Sequence, residues 1–174
     1  MSELMTLMEL ATEIDPTNAE YIWRDYDTRS EYEWIKRYAA QGNDKMVDFC
    51  LRRCRRTIEE FNDTHLTPAN VKVGDGVSIC LYSDREAATI IKVTKATVTV
   101  QRDKAILNPD FKPEWIIGGF AGHCTNQEDQ DYTYERDPNG TISVFYWSQK
   151  FNRYGTPGNP RLIKGRHEFY DYNF

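Results

Sequence analysis

The sequence predicts an α+β protein in which a helical subdomain is followed by a small antiparallel β-barrel of the SH3-like or KOW-like kind. Apolar residues recur at the helical period of about 3.6 as far as residue 63, whereas from Leu66 onward they alternate in short β-branched runs. The charge changes at the same place, because residues 1–66 hold fourteen acids and nine bases and residues 67–174 hold thirteen of each. We therefore expect a helical head over residues 1–66 and a barrel domain over residues 67–174.

Four short helices are expected in the head. Ser2 is a suitable N-cap for the first helix, and the sequence "DPTN" at 15–18 ends it and starts the second. Ser30 is the expected cap of the third helix, and Gly42 provides its C-terminal stop. The fourth helix is expected from Asp44 to Asn62, where a single apolar stripe runs along one face.

The strand signals after residue 66 come in several groups. Residues 71–84 alternate between apolar and polar, and residues 88–103 are β-branched, with "TKAT" joining two strands. Residues 132–147 predict a hairpin whose turn is "DPNG", with alternate side chains on opposite faces. Residues 161–174 predict a further pair of strands, which brings the total to five or six.

Closure of these strands into a barrel is expected, because exposed edge strands promote aggregation and closure removes them. The last ten residues, "GRHEFYDYNF", contain four aromatic rings, although chain ends usually fray. We expect this segment to form a terminal strand that closes the barrel and buries Phe169 in its core.

Residues 108–131 form a long insertion between the strand groups. The segment is rich in glycine and aromatic residues and contains two prolines. Insertions of this length are usually functional or disordered, and the apolar content argues against disorder. We expect an ordered loop packed on the barrel, in which Trp115, Phe120 and His123 are candidates for partner contact. Packing within the loop or the core is the alternative for the aromatic residues.

The four cysteines favour a reducing compartment, since their spacing shows no disulfide framework. Cys50 and Cys54 lie four residues apart on one predicted helix face, where core packing is more common than a metal or redox pair. No apolar run reaches the ~18 residues of a membrane span, and the N-terminus carries no basic leader. We expect a cytoplasmic protein with no membrane partner.

Catalytic and metal-binding signatures are weak. The three histidines and four cysteines show no zinc-finger spacing. Cys124 follows His123 directly, so a nucleophile here would need a distant base and a third orienting group. The glycines of the insertion are not followed by the Lys-Ser/Thr pair of a phosphate loop. We therefore predict a non-enzymatic protein with no metal and no cofactor.

The basic run "LRRCRR" is the strongest candidate for a binding surface. It places Arg52, Arg53, Arg55 and Arg56 on the fourth predicted helix, away from the apolar stripe. In one interpretation they form a patch for nucleic-acid phosphates or for carboxylates of a protein partner. In the other, they pair with acids of the same helix and of the acidic first half, as an ordinary solvated surface does. The sequence leaves both interpretations open.

Several stretches of the C-terminal part carry a resemblance to a known group of proteins. They are "VGDGVSICLYSDREAATII", "GGFAGHC", "DPNG", "WSQK" and "GRHEFYDYNF", and together they cover most of residues 71–174. In these stretches the chain resembles uncharacterised small proteins of phages and mobile elements of Gram-positive bacteria. The helical head lies outside this resemblance. A shared region joined to a different head looks like the organisation of phage-encoded counter-defence proteins, among them inhibitors of CRISPR nucleases.

The leading hypothesis is a counter-defence protein that binds a host CRISPR nuclease, or its complex with nucleic acid, and inhibits it in the host cytoplasm. In this hypothesis the head provides the contact. A nucleic-acid-binding accessory module, which uses the arginine helix and a barrel face, is the second hypothesis, and a structural phage protein is the third. The first implies a protein complex with little affinity for free nucleic acid, whereas the second implies nucleic-acid binding that weakens steeply with salt.

Overall fold

The α+β fold class is confirmed, with a helical N-terminal part followed by a closed antiparallel barrel. The computed structural model describes residues 4–118, 121–156 and 160–173. Contacts between residues divide the chain into two compact units. The helical unit contains Met1–Asn70 and Gln149–Asn152, and the barrel unit contains Val71–Ser148 and Arg153–Phe174.

Four α-helices lie in the described part of the helical unit. They span Leu7–Ile14 (α1), Ala19–Arg24 (α2), Tyr26–Ala40 (α3) and Asp44–Thr64 (α4). Each helix contributes buried apolar side chains to one core, which includes Leu10, Ile22, Ile35, Ile58 and Phe61. Burying a side chain of this size stabilises a fold by about 1.5–3 kcal/mol, so this core holds the four helices together.

Polar contacts attach residues outside the helices to the helical unit. Thr67 donates from its hydroxyl to Oδ1 of Asn18 at 2.7 Å, and both side chains are buried. Asn152, in the returning segment Gln149–Asn152, donates from Nδ2 to the carbonyl oxygen of Tyr21 at 2.8 Å. These bonds explain why chain segments distant in sequence belong to the same unit.

The N-cap predicted for α1 is wrong in position. Ser2 lies outside the described residues, and α1 begins at Leu7 with Thr6 as its cap. Thr6 Oγ1 accepts from the N–H of Glu9 at 3.2 Å, and the Glu9 carboxylate accepts from the N–H of Thr6 at 2.7 Å, which completes a capping box. The backbone and side-chain hydrogen bonds from Thr6 lower the pKa of Glu9. Thr6 is the better cap because a glutamate stands three residues after it.

The N-cap predicted for α3 is also wrong, whereas the C-terminal stop is confirmed. Asp25 caps this helix in place of Ser30, and its Oδ2 accepts from the N–H and the hydroxyl of Thr28 at 2.9 Å each. The helix therefore starts about one turn earlier than predicted. Gly42 has a φ of 65° and donates its N–H to the carbonyl oxygen of Ala39 at 3.0 Å. Glycine adopts this left-handed conformation without a steric penalty.

Ten β-strands lie in the described part of the barrel unit. They span Gly76–Cys80 (β1), Arg85–Val93 (β2), Thr97–Arg102 (β3), Lys104–Leu107 (β4), Trp115–Gly118 (β5), Ala121–Cys124 (β6), Tyr132–Glu135 (β7), Ile142–Ser148 (β8), Arg153–Gly155 (β9) and Arg161–Lys164 (β10). Six of them close into an antiparallel barrel in the order β1, β10, β9, β8, β3, β2. The other four form two separate two-stranded sheets, β4 with β7 and β5 with β6.

Alternation along the strands places one set of side chains inside the barrel. This buried set includes Val77, Ile90, Val98, Val100, Phe145, Tyr154 and Leu162. The alternation predicted for β8 is confirmed, with Phe145 buried between the exposed Val144 and Tyr146. The pairing of β2 with β3 shifts register between Ile90 and Lys92, which is an irregularity of the kind that lets a strand bend around a barrel.

The hairpin predicted over residues 132–147 is wrong, although its turn is present. The N–H of Gly140 donates to the carbonyl oxygen of Asp137 at 3.0 Å, but β7 pairs with β4 and β8 pairs with β3. Both strands therefore pair with one continuous segment of the chain, residues 97–107, and the turn connects them without pairing them to each other. Glycine is required in this turn, because a Cβ added at Gly140 would lie 2.0 Å from the carbonyl oxygen of Arg102.

The terminal strand predicted to close the barrel is also wrong. Closure comes from β10, which pairs with β1 on one side and with β9 on the other. Gly165, with a φ of 88°, then turns the chain away, and the described part of the tail forms a single bridge, between Arg85 and Phe169. Phe169 is half-buried and does not enter the core. The tail instead uses the alternate residues Arg166 and Glu168 to form ion pairs with the barrel.

Glu168 anchors the tail through a bidentate ion pair with Arg102. Arg102 donates from Nη1 to Oε2 at 2.8 Å and from Nη2 to Oε1 at 2.6 Å. The same carboxylate accepts from the backbone N–H of Ala87 at 2.7 Å. Burial lowers the pKa of Arg102, but the hydrogen bond and charge of Glu168 outweigh it, so the pKa is raised and the guanidinium stays charged.

Asp103 is the second anchor, and only 1% of its side chain is exposed. Its Oδ2 accepts from the hydroxyl of Thr89 at 2.6 Å and from Nε of Arg166 at 2.7 Å, while Nε of Arg136 lies 3.6 Å from Oδ1. Gly76 leaves the space for this arrangement, because a Cβ there would lie 2.8 Å from Cγ of Arg166. The buried carboxylate therefore faces a cation on each oxygen, which offsets the loss of its hydration.

We expect Glu168→Ala to destabilise the barrel unit by about 3 kcal/mol, because it removes the bidentate acceptor of the Arg102 guanidinium and the acceptor of the Ala87 N–H. Urea unfolding followed by tryptophan fluorescence measures the change. The matched control is Glu135→Ala, which removes an exposed carboxylate 3.8 Å from Lys104 and is expected to cost less than about 1 kcal/mol. Equal losses in the two variants would contradict the anchoring role of Glu168.

Candidate protein-binding surfaces

The four arginines of the basic run lie along α4 with their side chains partly or largely exposed, and each faces a carboxylate of the helical unit. The pairs are Arg52 with Asp48, Arg53 with Glu31 at 2.7 Å, Arg55 with Glu13 at 3.1 Å and Arg56 with Glu60 at 3.9 Å. The arginines therefore form a mixed surface of cations and anions. Exposed pairs of this kind contribute about 0–1 kcal/mol each, so a partner can replace the acid at small cost.

A groove runs between α3 and α4, which are joined by residues 41–43 and lie side by side. Its volume is about 430 Å³, which falls within the range of sites that hold a ligand or a few anchoring side chains. The side chains that line it are Asp27, Ser30, Glu31, Trp34 and Tyr38 of α3 and Met46, Phe49, Cys50 and Arg53 of α4. These positions recur every three or four residues on each helix, so they form one stripe along each wall.

The groove has an apolar half near the α3–α4 turn and a polar half farther from it. In the apolar half, Trp34 and Phe49 are 45% and 47% exposed. The ring of Trp34 stacks on Tyr38 with centroids 5.9 Å apart, and the guanidinium of Arg37 lies 4.4 Å from the Trp34 ring centroid. Cation–π and stacking contacts of this kind hold an exposed ring in one orientation. The polar half is formed around the ion pair of Arg53.

Cys54 lies on the buried face of α4 and is unsuited to nucleophilic or redox chemistry. Its side chain is fully buried. Burial, with a smaller effect from the charge of Glu31, raises the pKa of the Cys54 thiol to about 11. The thiolate is the reactive form of cysteine, so this residue stays protonated and inert at neutral pH. The core-packing interpretation therefore fits Cys54.

The insertion contains a second exposed surface, the hairpin of β5 and β6. Trp115 and His123 are both exposed on it, and Ile116 pairs with His123 across the two strands. Ile117 is 96% exposed, which is unusual for an isoleucine. Phe120, the third residue predicted here for partner contact, lies outside the described residues.

The terminal residues support the base of this hairpin. Asn173 accepts at Oδ1 from the N–H of Cys124 at 2.6 Å and donates from Nδ2 to the carbonyl oxygen of the same residue at 3.0 Å. The ring of Tyr172 meets Trp115 edge-on with centroids 6.1 Å apart and lies 6.2 Å from the ring of Phe111. The aromatic chain end therefore positions the hairpin instead of filling the barrel.

The structure brings some of the predicted site residues together and separates others. Arg53 joins the groove, whereas Arg52, Arg55 and Arg56 do not line it. Sequence reasoning missed Trp34 and Phe49 as surface residues, because an aromatic residue in a helix is most often assigned to the core. A signal was available, since neither residue falls on the apolar stripe that predicts the buried face.

Comparisons with known proteins do not assign these surfaces to a known class. No match is found among protein-family models, curated proteins or solved structures. Among the described residues, no group of three or more His, Cys, Asp or Glu is arranged to hold a metal ion. None of the helices in the described ranges is long and apolar enough to cross a membrane. The surfaces themselves therefore have to indicate the function.

We expect the quadruple variant Arg52→Gln, Arg53→Gln, Arg55→Gln and Arg56→Gln to remain folded, with a loss of less than about 2 kcal/mol in unfolding free energy. Each exposed pair contributes little, and the arginine stems fill no core position. Urea unfolding monitored by circular dichroism at 222 nm measures the loss. Ile58→Ala is the comparison for a core position on the same helix and is expected to cost about 2–5 kcal/mol. Unfolding of the quadruple variant would show that the ion pairs are essential to the fold.

Proposed function

We propose that this protein is a non-enzymatic inhibitor, encoded by a phage or mobile element, that binds a host CRISPR nuclease or its complex with nucleic acid. One observation carries the proposal: an open aromatic groove lies on a helical unit that holds the excess negative charge of the chain. The resemblance of residues 71–174 to phage proteins supports the same conclusion. The helical unit provides the contact in this proposal.

The charge of the helical unit favours a basic protein partner. Residues 1–66 carry five more acids than bases, and the arginines of α4 already face carboxylates. An RNA-guided nuclease holds its nucleic acid in a positively charged channel. Complementary charge of this kind accelerates association and orients the two proteins before close contact. Free nucleic acid, by contrast, would be repelled by the net charge of the same surface.

A binding role without catalysis is supported by the surroundings of the candidate nucleophile Cys124. Its side chain is buried, and its Sγ lies 3.5 Å from Oδ1 of Asn126, to which it donates a hydrogen bond. His123 directly precedes Cys124 in β6, and successive side chains of a strand point to opposite faces. The histidine is therefore not placed to act as the base of Cys124.

A nucleic-acid-binding accessory module is the second candidate, and one feature of the barrel favours it. A small polar pocket of about 240 Å³ lies at one end of β1. Its described lining residues include Arg153, Arg161 and Tyr82. Two guanidinium groups suit a phosphate, and an exposed tyrosine ring suits a base. This pocket does not explain the groove of the helical unit, so the module remains the second candidate.

We expect the full-length protein to form a stable complex with a purified CRISPR nuclease complex and to reduce cleavage of target DNA. A panel of nucleases from Gram-positive hosts is tested by size-exclusion co-elution and by cleavage assay. Mobility shifts with free RNA and DNA at 50 and 200 mM salt are run in parallel and are expected to show no binding. Binding to free nucleic acid that falls steeply with salt, and is lost in Arg153→Gln/Arg161→Gln, would favour the accessory module.

The quadruple arginine variant tests which surface of the helical unit makes the contact. We expect it to lose binding and inhibition by at least tenfold, since a partner with net positive charge still carries local carboxylates, and a charge-assisted hydrogen bond from an arginine to one of them contributes about 1.5–3 kcal/mol. The same co-elution and cleavage assays measure the loss. Full activity in the folded variant would exclude the arginine face of α4 and leave the aromatic half of the groove, and next the hairpin of Trp115–Gly118 and Ala121–Cys124, as the contact.

A further inference from the structure

The apolar half of the groove is organised before any partner binds. Trp34 and Phe49 face the groove from opposite walls, and both are about half exposed. Tyr38 and Arg37 hold the ring of Trp34, so little side-chain freedom remains to be lost on binding. Tryptophan, phenylalanine and methionine are enriched in the centres of protein interfaces, where they form the contacts that contribute most. This half of the groove is suited to an apolar anchor.

The polar half presents an acid that has no ion-pair partner in the part of the chain that the structure describes. Asp27 lies in the first turn of α3, is exposed, and forms no ion pair with the described residues. Glu31, one turn farther along the helix, is already engaged by Arg53 at 2.7 Å. The helix dipole stabilises a negative charge at the N-terminus of α3, which is a sufficient reason for an acid at position 27. The helix dipole does not explain why exposed aromatic residues line the same groove.

The positions of Asp27 and Trp34 on α3 give the distance between the polar and the apolar half of the groove. Asp27 and Trp34 are seven residues apart on one helix face, which corresponds to about 10 Å at a rise of about 1.5 Å per residue. A groove between two adjacent helices is the site where a third helix packs in a bundle. An occupying helix would therefore place its two contacting residues seven positions apart.

We infer that the groove takes an amphipathic helix of the protein partner, with an apolar side chain between Trp34 and Phe49 and a lysine or arginine, seven residues away, paired with Asp27. The inference rests on the proposed function and specifies which element of the partner is recognised. Asp27 would repel an acidic residue at the position that faces it, and the exposed rings give a purely polar segment no anchor.

Selection from a displayed library of randomised helical peptides, with the full-length protein as bait, tests the occupant without knowledge of the nuclease. The selected peptides are expected to share an apolar residue and a basic residue seven positions apart. Their affinities are then measured by fluorescence anisotropy with labelled synthetic peptides. Replacing the basic residue of a selected peptide with glutamate is expected to weaken binding at least tenfold.

Two variants of the protein with matched controls locate the binding. Trp34→Ala and Asp27→Asn are expected to weaken peptide binding at least tenfold. Trp23→Ala removes a tryptophan that is also 47% exposed but does not line the groove, and Asp63→Asn removes an exposed acid near the end of α4. Both controls are expected to change binding by less than twofold. Circular dichroism confirms that each variant is folded.

The outcomes separate this inference from the proposed function. Three results would overturn the proposed helical occupant, even if a nuclease is still inhibited. They are selected peptides without the apolar–basic pair, an empty selection, and unchanged peptide binding in folded Trp34→Ala. Peptide binding with the expected pattern supports a helical occupant even if no CRISPR nuclease is inhibited. In that case the proposal of nuclease inhibition is wrong and the proposal of a helix-binding groove is supported.

Discussion

The ion pair between Glu168 and Arg102 is the contact on which the architecture of the barrel unit depends. The chain leaves the barrel after β10, and apolar packing does not bring it back, because Phe169 stays half-buried. The tail is instead held by polar contacts, namely the ion pairs of Glu168 with Arg102 and of Arg166 with Asp103, and the backbone bridge between Arg85 and Phe169. The fixed tail directs the residues after it toward the hairpin of β5 and β6.

This arrangement links a polar network to an apolar surface. Tyr172 and Asn173 support the hairpin base, and both follow Glu168 within five residues. A buried ion pair adds little net stability over an apolar contact, but removing one partner is costly because the other charge is left in the protein interior. The network therefore selects a single path for the tail. An apolar terminal strand would have filled the barrel and left the hairpin without its base.

The sequence predicted the local periods, although neither of the two N-caps, and failed where a distant partner had to be chosen. The periods of helices and strands are local, so the helical part, the barrel and the alternation along β8 were all predicted. The hairpin over 132–147 was wrong because its two strands pair with the distant segment 97–107, and the sequence of a turn does not encode such pairing. The partners of Arg53 and Arg55, namely Glu31 and Glu13, come from other helices. The sequence alone indicated only that these arginines could pair with some acid of the first half. The position of Trp34 off the apolar stripe was a signal of its exposure, but the groove itself was missed because it depends on the lengths of neighbouring helices.

Those lengths explain why the groove exists. α3 has 15 residues and α4 has 21, whereas α1 and α2 have 8 and 6. At about 1.5 Å per residue, the two long helices extend well beyond what the two short ones can cover. The fully buried residues of α4, Cys54, Ile58 and Phe61, all lie in its second half, and none lies in the first ten residues. The aromatic walls of the groove are therefore the part of a helical core that this unit does not complete itself, and a third helix from a partner would complete it.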